Sequence, residues 1–172
     1  MENILVDKKT GKLKLIDFGF CCCTAPDTRL KIFCGTPSYM CPEIVLKKEY
    51  LGPPTDIWAA GILLYALLCG HFPFKGATDK ELYKKIAKGT FIPPDHMSQQ
   101  ARQLLSKMLV VDPDKRYTTA QLLDDPWLRS GGGASKKEET QTKTNQSVMS
   151  TSNDQSNPQG ANFLSTTESS GN

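Results

Sequence analysis

Two hard oxygen donors lie near the start of the chain. Asn3 precedes a short apolar run, Ile4-Leu-Val6, and Asp17 follows a second one, Leu13-Lys-Leu-Ile16. Lys8-Lys-Thr-Gly11 between them has the composition of a turn, so the two runs are expected to pair as a hairpin. Pairing would bring the Asn3 amide oxygen near the Asp17 carboxylate, although they stand fourteen positions apart. Oxygen donors of this kind suit Mg²⁺ bridging the phosphates of a nucleotide. The simpler reading makes Asn3 a strand cap and Asp17 a turn residue. Asp17-Phe18-Gly19 carries little weight alone; its place directly after a strand, opposite an amide, is what makes it a candidate.

The positioning elements follow in order. Residues 17 to about 41 show no sustained period and contain Pro26, Gly35 and Pro37, which predicts a long loop of the kind that tends to be functional. A short helical stretch, Glu43-Ile-Val-Leu-Lys-Lys48, comes next. The run from Ile57 to Cys69 is apolar on all sides, and as a run it is shorter than the roughly 18–20 residues that cross a bilayer. It is therefore expected to be a core helix from near Asp56 to Cys69, stopped by Gly70. Thr78-Asp-Lys-Glu81 reads as a capping box opening an amphipathic helix to about Lys88. Ser98 to about Leu109 is another helix, Asp112-Pro-Asp-Lys115 a turn, and Thr118-Thr-Ala-Gln121 a capping box for the last helix.

The chain has 172 residues, which suits one domain and a tail. Residues 1–129 read as globular. Residues 130–172 turn to Gly, Ser, Thr, Asn, Gln and Lys, a composition that cannot bury enough surface to offset its ordering entropy, and they are expected to be a disordered tail. A net charge of +3 with scattered Lys residues does not point to nucleic acid, and no segment points to a membrane. The six cysteines include the triplet Cys21-Cys22-Cys23 but no C-x-x-C pair, so no structural zinc site is expected. No basic-then-apolar leader opens the chain, so a cytoplasmic or nuclear location with free thiols is the expectation.

Further motifs lie downstream: Gly35-Thr-Pro-Ser-Tyr-Met-Cys-Pro-Glu43, then Asp56-Ile-Trp-Ala-Ala-Gly61, then Asp112-Pro-Asp-Lys-Arg116. Together with Asn3 and Asp17-Phe18-Gly19, their order resembles the eukaryotic-type protein serine/threonine kinases over residues 1 to about 129, closest in look to the calcium/calmodulin-dependent and AMP-activated group. The resemblance implies a mainly α fold with a small β-hairpin: the C-terminal lobe of the protein-kinase-like fold, with the N-terminal lobe absent. It implies ATP and Mg²⁺ as cofactors, with Asn3 and Asp17 as metal ligands and Asp17, Phe18 and Gly19 beside the nucleotide. Thr36 matches the residue that supports the catalytic Asp and Lys of the family. Glu2, Gly35, Thr36 and Pro37 fall at substrate-facing positions. Glu43 and Arg116 match a buried ion pair that fixes the loop to the helical core, and Asp56 an anchor for the catalytic loop.

Two departures from the family pattern stand out. Ile32 occupies the position where many relatives carry a phosphorylated Thr, which excludes activation through a hydroxyl there, and Cys41 replaces the Ala of A-P-E. The H-R-D segment that supplies the general base, the Gly-rich loop and the nucleotide-contacting Lys are not among these residues. With the family pattern aligned on Asn3, the general-base Asp is expected upstream of Met1, so no residue here matches the catalytic base. Two readings follow. One is an active kinase acting on protein substrates, present as a truncated chain that is inactive alone. The other is a non-catalytic module that engages substrates, a partner kinase or a chaperone. In either case the core helix is expected to expose an apolar face, making the fragment prone to associate.

Overall fold

β1 (Ile4–Val6) and β2 (Leu13–Leu15) pair antiparallel, with Ile4 opposite Leu15, Leu5 opposite Lys14 and Val6 opposite Leu13. The computed structural model describes residues 2–25 and 27–131, so the expected tail lies outside the described residues apart from its first two positions. Met1, the position used to place the general base upstream, and the expected loop breaker Pro26 also lie outside the described residues. Asp7 builds the hairpin turn. Its carboxylate accepts the Lys9 N–H at 2.8 Å and the Thr10 hydroxyl at 2.7 Å, and these bonds hold its pKa below the ordinary carboxylate value. Leu5, Val6, Leu13 and Leu15 all remain exposed, so the hairpin is held by its ladder and turn and not by burial of a face.

Helices make up the rest: α1 (Pro42–Val45), α2 (Gly52–Cys69), α3 (Asp79–Lys88), α4 (Gln99–Met108), α5 (Thr119–Leu123) and α6 (Pro126–Arg129). α2 begins four residues before the expected start near Asp56. Pro53 and Pro54 stand in the first turn, where the missing N–H has no intrahelical partner to lose and the fixed φ of proline suits the start. The full helix of 18 residues, with mean hydropathy 1.2, is thus long and apolar enough to cross a bilayer, which corrects the length expected from the shorter run. One face of it packs into the core, although only 33% of the span is buried. Ile57, Trp58, Ile62 and Tyr65 are buried along one face, and a Cβ at Gly61 would come within 2.9 Å of a Leu109 methyl, so glycine there allows α2 and the end of α4 to approach closely.

Helix ends follow the sequence signals closely. Ser98 accepts the Ala101 N–H, and Thr118 and Gln121 form a reciprocal capping box on α5. At α3 the box is only half closed. Thr78 accepts the Glu81 N–H, but the Glu81 carboxylate takes the Ala77 N–H, one residue earlier than expected. α1 is shorter than the stretch to Lys48, because Lys47 adopts a left-handed backbone (φ 55°) that ends it. Buried Leu104, Leu105 and Met108 of α4 and Ile86 of α3 complete the core around α2. On the opposite face of α2, Ala60, Leu63, Leu64 and Leu67 line a wholly apolar groove of about 280 Å³ with Leu104 and Met108, matching the expected apolar face.

Candidate functional site

The hairpin ladder extends to Asn3, whose carbonyl accepts the Ile16 N–H at 3.0 Å, so Asn3 and Asp17 lie at the same end of the two strands. Asp17 has a left-handed backbone (φ 63°), a region that Asp and Asn tolerate better than other non-glycine residues. Its Oδ1 accepts the Gly19 N–H at 3.2 Å, and a Cβ on Gly19 would sit 3.2 Å from the same oxygen, so glycine lets this turn close. Among the described residues Oδ2 of Asp17 and the side-chain amide of Asn3 accept no hydrogen bond, and both residues are exposed. Glu2, Phe18 and Gly19 are exposed beside them. The donor set is one carboxylate oxygen and one amide oxygen, both uncommitted. That chemistry fits Mg²⁺, which takes one or two protein oxygens and completes its shell with phosphates and water.

Gly35 and Thr36 are exposed and the adjoining Pro37 is half-buried, apart from the hairpin residues in sequence. Pro37 opens a 3₁₀ turn over Pro37–Tyr39, and the Thr36 carbonyl accepts the Tyr39 N–H at 2.9 Å while its hydroxyl makes no bond among the described residues. Gly35 has φ 110°, a conformation that side chains rarely adopt. Cys41, next in the segment, is fully buried and donates to Thr55 Oγ1 at 3.7 Å. Burial pushes its thiol up to about 12, with the Glu43 carboxylate adding to the rise.

Glu43 and Arg116 meet in the interior. Arg116 Nη1 donates to Glu43 Oε1 at 2.8 Å and Nη2 to Oε2 at 3.1 Å, a bidentate pair. The rest of the guanidinium is satisfied as well: Nε donates to the Val110 carbonyl at 3.0 Å and Nη1 to that of Pro54 at 2.7 Å. Its plane lies 5.2 Å from the Trp58 ring, which itself stacks on Phe74 at 5.8 Å. The pair therefore joins α1, the start of α2 and the turn before α5 at one point. The carboxylate of Asp56, on the first turns of α2, has no hydrogen-bond partner among the described residues, and desolvation raises its pKa above the ordinary value.

Tyr50 carries a role that the sequence reading did not include. Its backbone forms an antiparallel bridge with Leu30, with N–H···O distances of 2.8 and 3.0 Å, and its hydroxyl donates to the Ile32 carbonyl at 2.8 Å. Lys31 between these points pairs with Glu49 at 2.7 Å. The stretch at Ile32 is thus pinned to the connection between α1 and α2 by neutral hydrogen bonds and one exposed ion pair. Only the β-type residues around Tyr50 hinted at this, and a single bridge has no period to detect.

The sequence matches the family model described as "Protein kinase domain" over residues 1–128. It is 43% identical over 129 residues to a probable serine/threonine-protein kinase, MARK-A, of Dictyostelium discoideum, covering 75% of this chain and 12% of that protein. Against the probable serine/threonine-protein kinase HSL1 of Saccharomyces cerevisiae the identity is 44% over 128 residues, 74% of this chain and 8% of the relative. Against the maternal embryonic leucine zipper kinase of Xenopus laevis it is 45% over 132 residues, 76% of this chain and 20% of the relative. The chain spans a small part of the length of each.

Proposed function

The chain belongs to the protein kinase domain family as a eukaryotic-type serine/threonine kinase, and on that premise we propose that the protein transfers the γ-phosphoryl group of ATP to serine or threonine hydroxyls of protein substrates. The observation that carries this reading is the uncommitted Asp17 oxygen presented beside Asn3 at one end of the hairpin. Asn3 and Asp17 would hold Mg²⁺, whose charge offsets the charge that develops on the phosphates. Phe18 and Gly19 flank the nucleotide side. Glu2, Gly35, Thr36 and Pro37 face the substrate, with the Thr36 hydroxyl free to support the reacting groups. The Glu43–Arg116 pair holds that substrate-facing patch on the helical core, and Asp56 is an acceptor for backbone N–H groups of a catalytic loop.

Neither an H-R-D motif nor a Gly-rich loop occurs in the 172 residues. The general base and the nucleotide clamp are therefore roles for sequence outside them, and these residues alone are inactive in this reading. The six free cysteines suit a reducing compartment, cytoplasm or nucleus. The test is transfer from Mg-ATP to a serine peptide by the protein that carries these residues, with and without Asp17→Asn. Loss of at least about a hundredfold in turnover is expected, the scale on which removal of a charge-stabilising group acts. Unchanged turnover in the variant would sink the metal role.

A second reading, a non-catalytic module that engages substrates, a partner kinase or a chaperone, is favoured by one observation. Tyr50 pins the Ile32 stretch without any phosphate, so the substrate-facing patch has support that does not depend on catalytic activation. Protein binding without turnover in the same assay would favour it.

A further inference from the structure

A cleft of about 600 Å³ opens between the Ile32 stretch, the connection after α1 and the first turns of α3. Its floor and walls are apolar and aromatic. Ile32 and Phe33 are 53% and 47% exposed, and Phe33 meets Tyr83 of α3 edge-on at 6.1 Å between ring centres. Its rim is basic. Lys31, Lys47, Lys48 and Lys80 all line it, and no acidic residue does. Lys31 is neutralised by Glu49, and Lys47 lies over the Phe33 ring at 6.0 Å. Lys48 and Lys80 have no ion-pair partner among the described residues. Asp79 and Glu81 flank Lys80 in the first turn of α3 but stay outside the cleft.

We propose that this cleft docks an acidic peptide segment of a partner protein, with one bulky apolar side chain seated against the surface that Phe33 and Tyr83 form together and Asp or Glu carboxylates on Lys47, Lys48 and Lys80. Charge complementarity selects the occupant: a rim that carries cations and no anion of its own repels basic peptides and draws acidic ones. The aromatic floor adds what charge alone lacks, an apolar pocket that fixes register. The cleft is pre-formed, because the Leu30–Tyr50 bridge and the Tyr50 hydroxyl hold one wall in place. Docking there needs no nucleotide and no phosphoryl transfer, so it stands whether or not the kinase reading holds.

The test is fluorescence anisotropy of the whole 172-residue chain with a labelled short peptide of Asp and Glu around a central Phe, in the absence of ATP. Three comparisons decide it: Lys in place of the peptide's acids, Ala in place of its Phe, and the protein variant K48E/K80E, whose two sites are exposed and outside the metal-binding and substrate-facing groups. Binding is expected to weaken about tenfold or more in each comparison, and to weaken further between about 50 and about 200 mM salt as screening grows. Circular dichroism matching wild type shows that the variant is folded. Equal affinity of the charge-reversed protein for the acidic peptide overturns the proposal. So does equal binding of the basic peptide, or no binding of the acidic peptide up to about millimolar concentration, the weak limit of useful recognition.

Discussion

The two ends of the loop from Asp17 to Glu43 are held in opposite ways. At Asp17 the chain leaves an exposed hairpin whose apolar side chains find no core, and the candidate metal ligands stand in solvent. At Glu43 the same loop ends in a carboxylate 6% exposed, gripped by an arginine 0% exposed. The first end leaves Asp17 Oδ2 and the Asn3 side chain without a bond among the described residues, and the second bonds almost all of its polar atoms. Groups that bind a ligand must be left free, whereas groups that hold the scaffold must not be. Anchoring contacts and uncommitted oxygen donors thus stand at different ends of one segment.

Removing the grip tests that division most strongly. Arg116→Ala leaves the Glu43 carboxylate buried without its partner, and a loss of about 3–5 kcal/mol is expected in denaturant unfolding. Asp17→Asn, at the other end, is expected to stay within about 0.5 kcal/mol of wild type, because Asn also tolerates the left-handed backbone and no core contact is lost. Equal losses in the two variants would break the comparison.

Thiol reactivity reads the same contrast without mutation. Cys21, Cys22 and Cys23 are exposed, while Cys41 is buried with its thiol pushed up to about 12. At pH 8 about one Cys41 side chain in ten thousand is thiolate, before access is considered. In the native chain the triplet is expected to alkylate at least about a hundredfold faster than Cys41, and mass mapping of the labelled peptides checks it. Comparable rates would mean that the anchored end opens as readily as the exposed one.

The smallest effect concerns Asp56. Its folded pKa is raised by desolvation, so the folded state holds the proton more tightly than the unfolded chain. Stability therefore falls as pH rises from the ordinary carboxylate range through the folded pKa, and the penalty is complete above it. Asp56→Asn is expected to melt slightly higher than wild type at neutral pH, with the gap closing as pH falls below the ordinary carboxylate range. A gap that widens on acidification would show that Asp56 is stabilised by a partner and not left free for one.

Legibility in the sequence followed the range of the interactions. The capping residues Ser98 and Thr118 could be read from a four-residue window, because each bond they make closes within that window. The hairpin was readable for the same reason. The start of α2 was placed near Asp56 because the apolar run begins at Ile57, whereas the helix opens at Gly52 with Pro53 and Pro54 in its first turn, where proline is tolerated. Tyr50 was missed because its bonds to Leu30 and Ile32 span about twenty residues and leave no pattern. The partnership of Glu43 with Arg116 emerged only through resemblance to a family, since no local rule links such distant positions. The Asp17 metal role was suggested by residue types, and its uncommitted oxygen adds a geometric reason.

Seventy-three residues separate Glu43 from Arg116. A contact of that span closes a long loop, and its closure entropy is best offset once α2, α3 and α4 have packed between its partners. It is therefore expected to form late in folding, and comparing the folding and unfolding rates of Arg116→Ala with wild type checks this: a change mainly in the unfolding rate is the expected outcome. The strength of the pair then governs how fast the folded lobe comes apart far more than how fast it assembles. The lifetime of the folded loop would then depend on Arg116, a residue far along the chain from the loop that it holds.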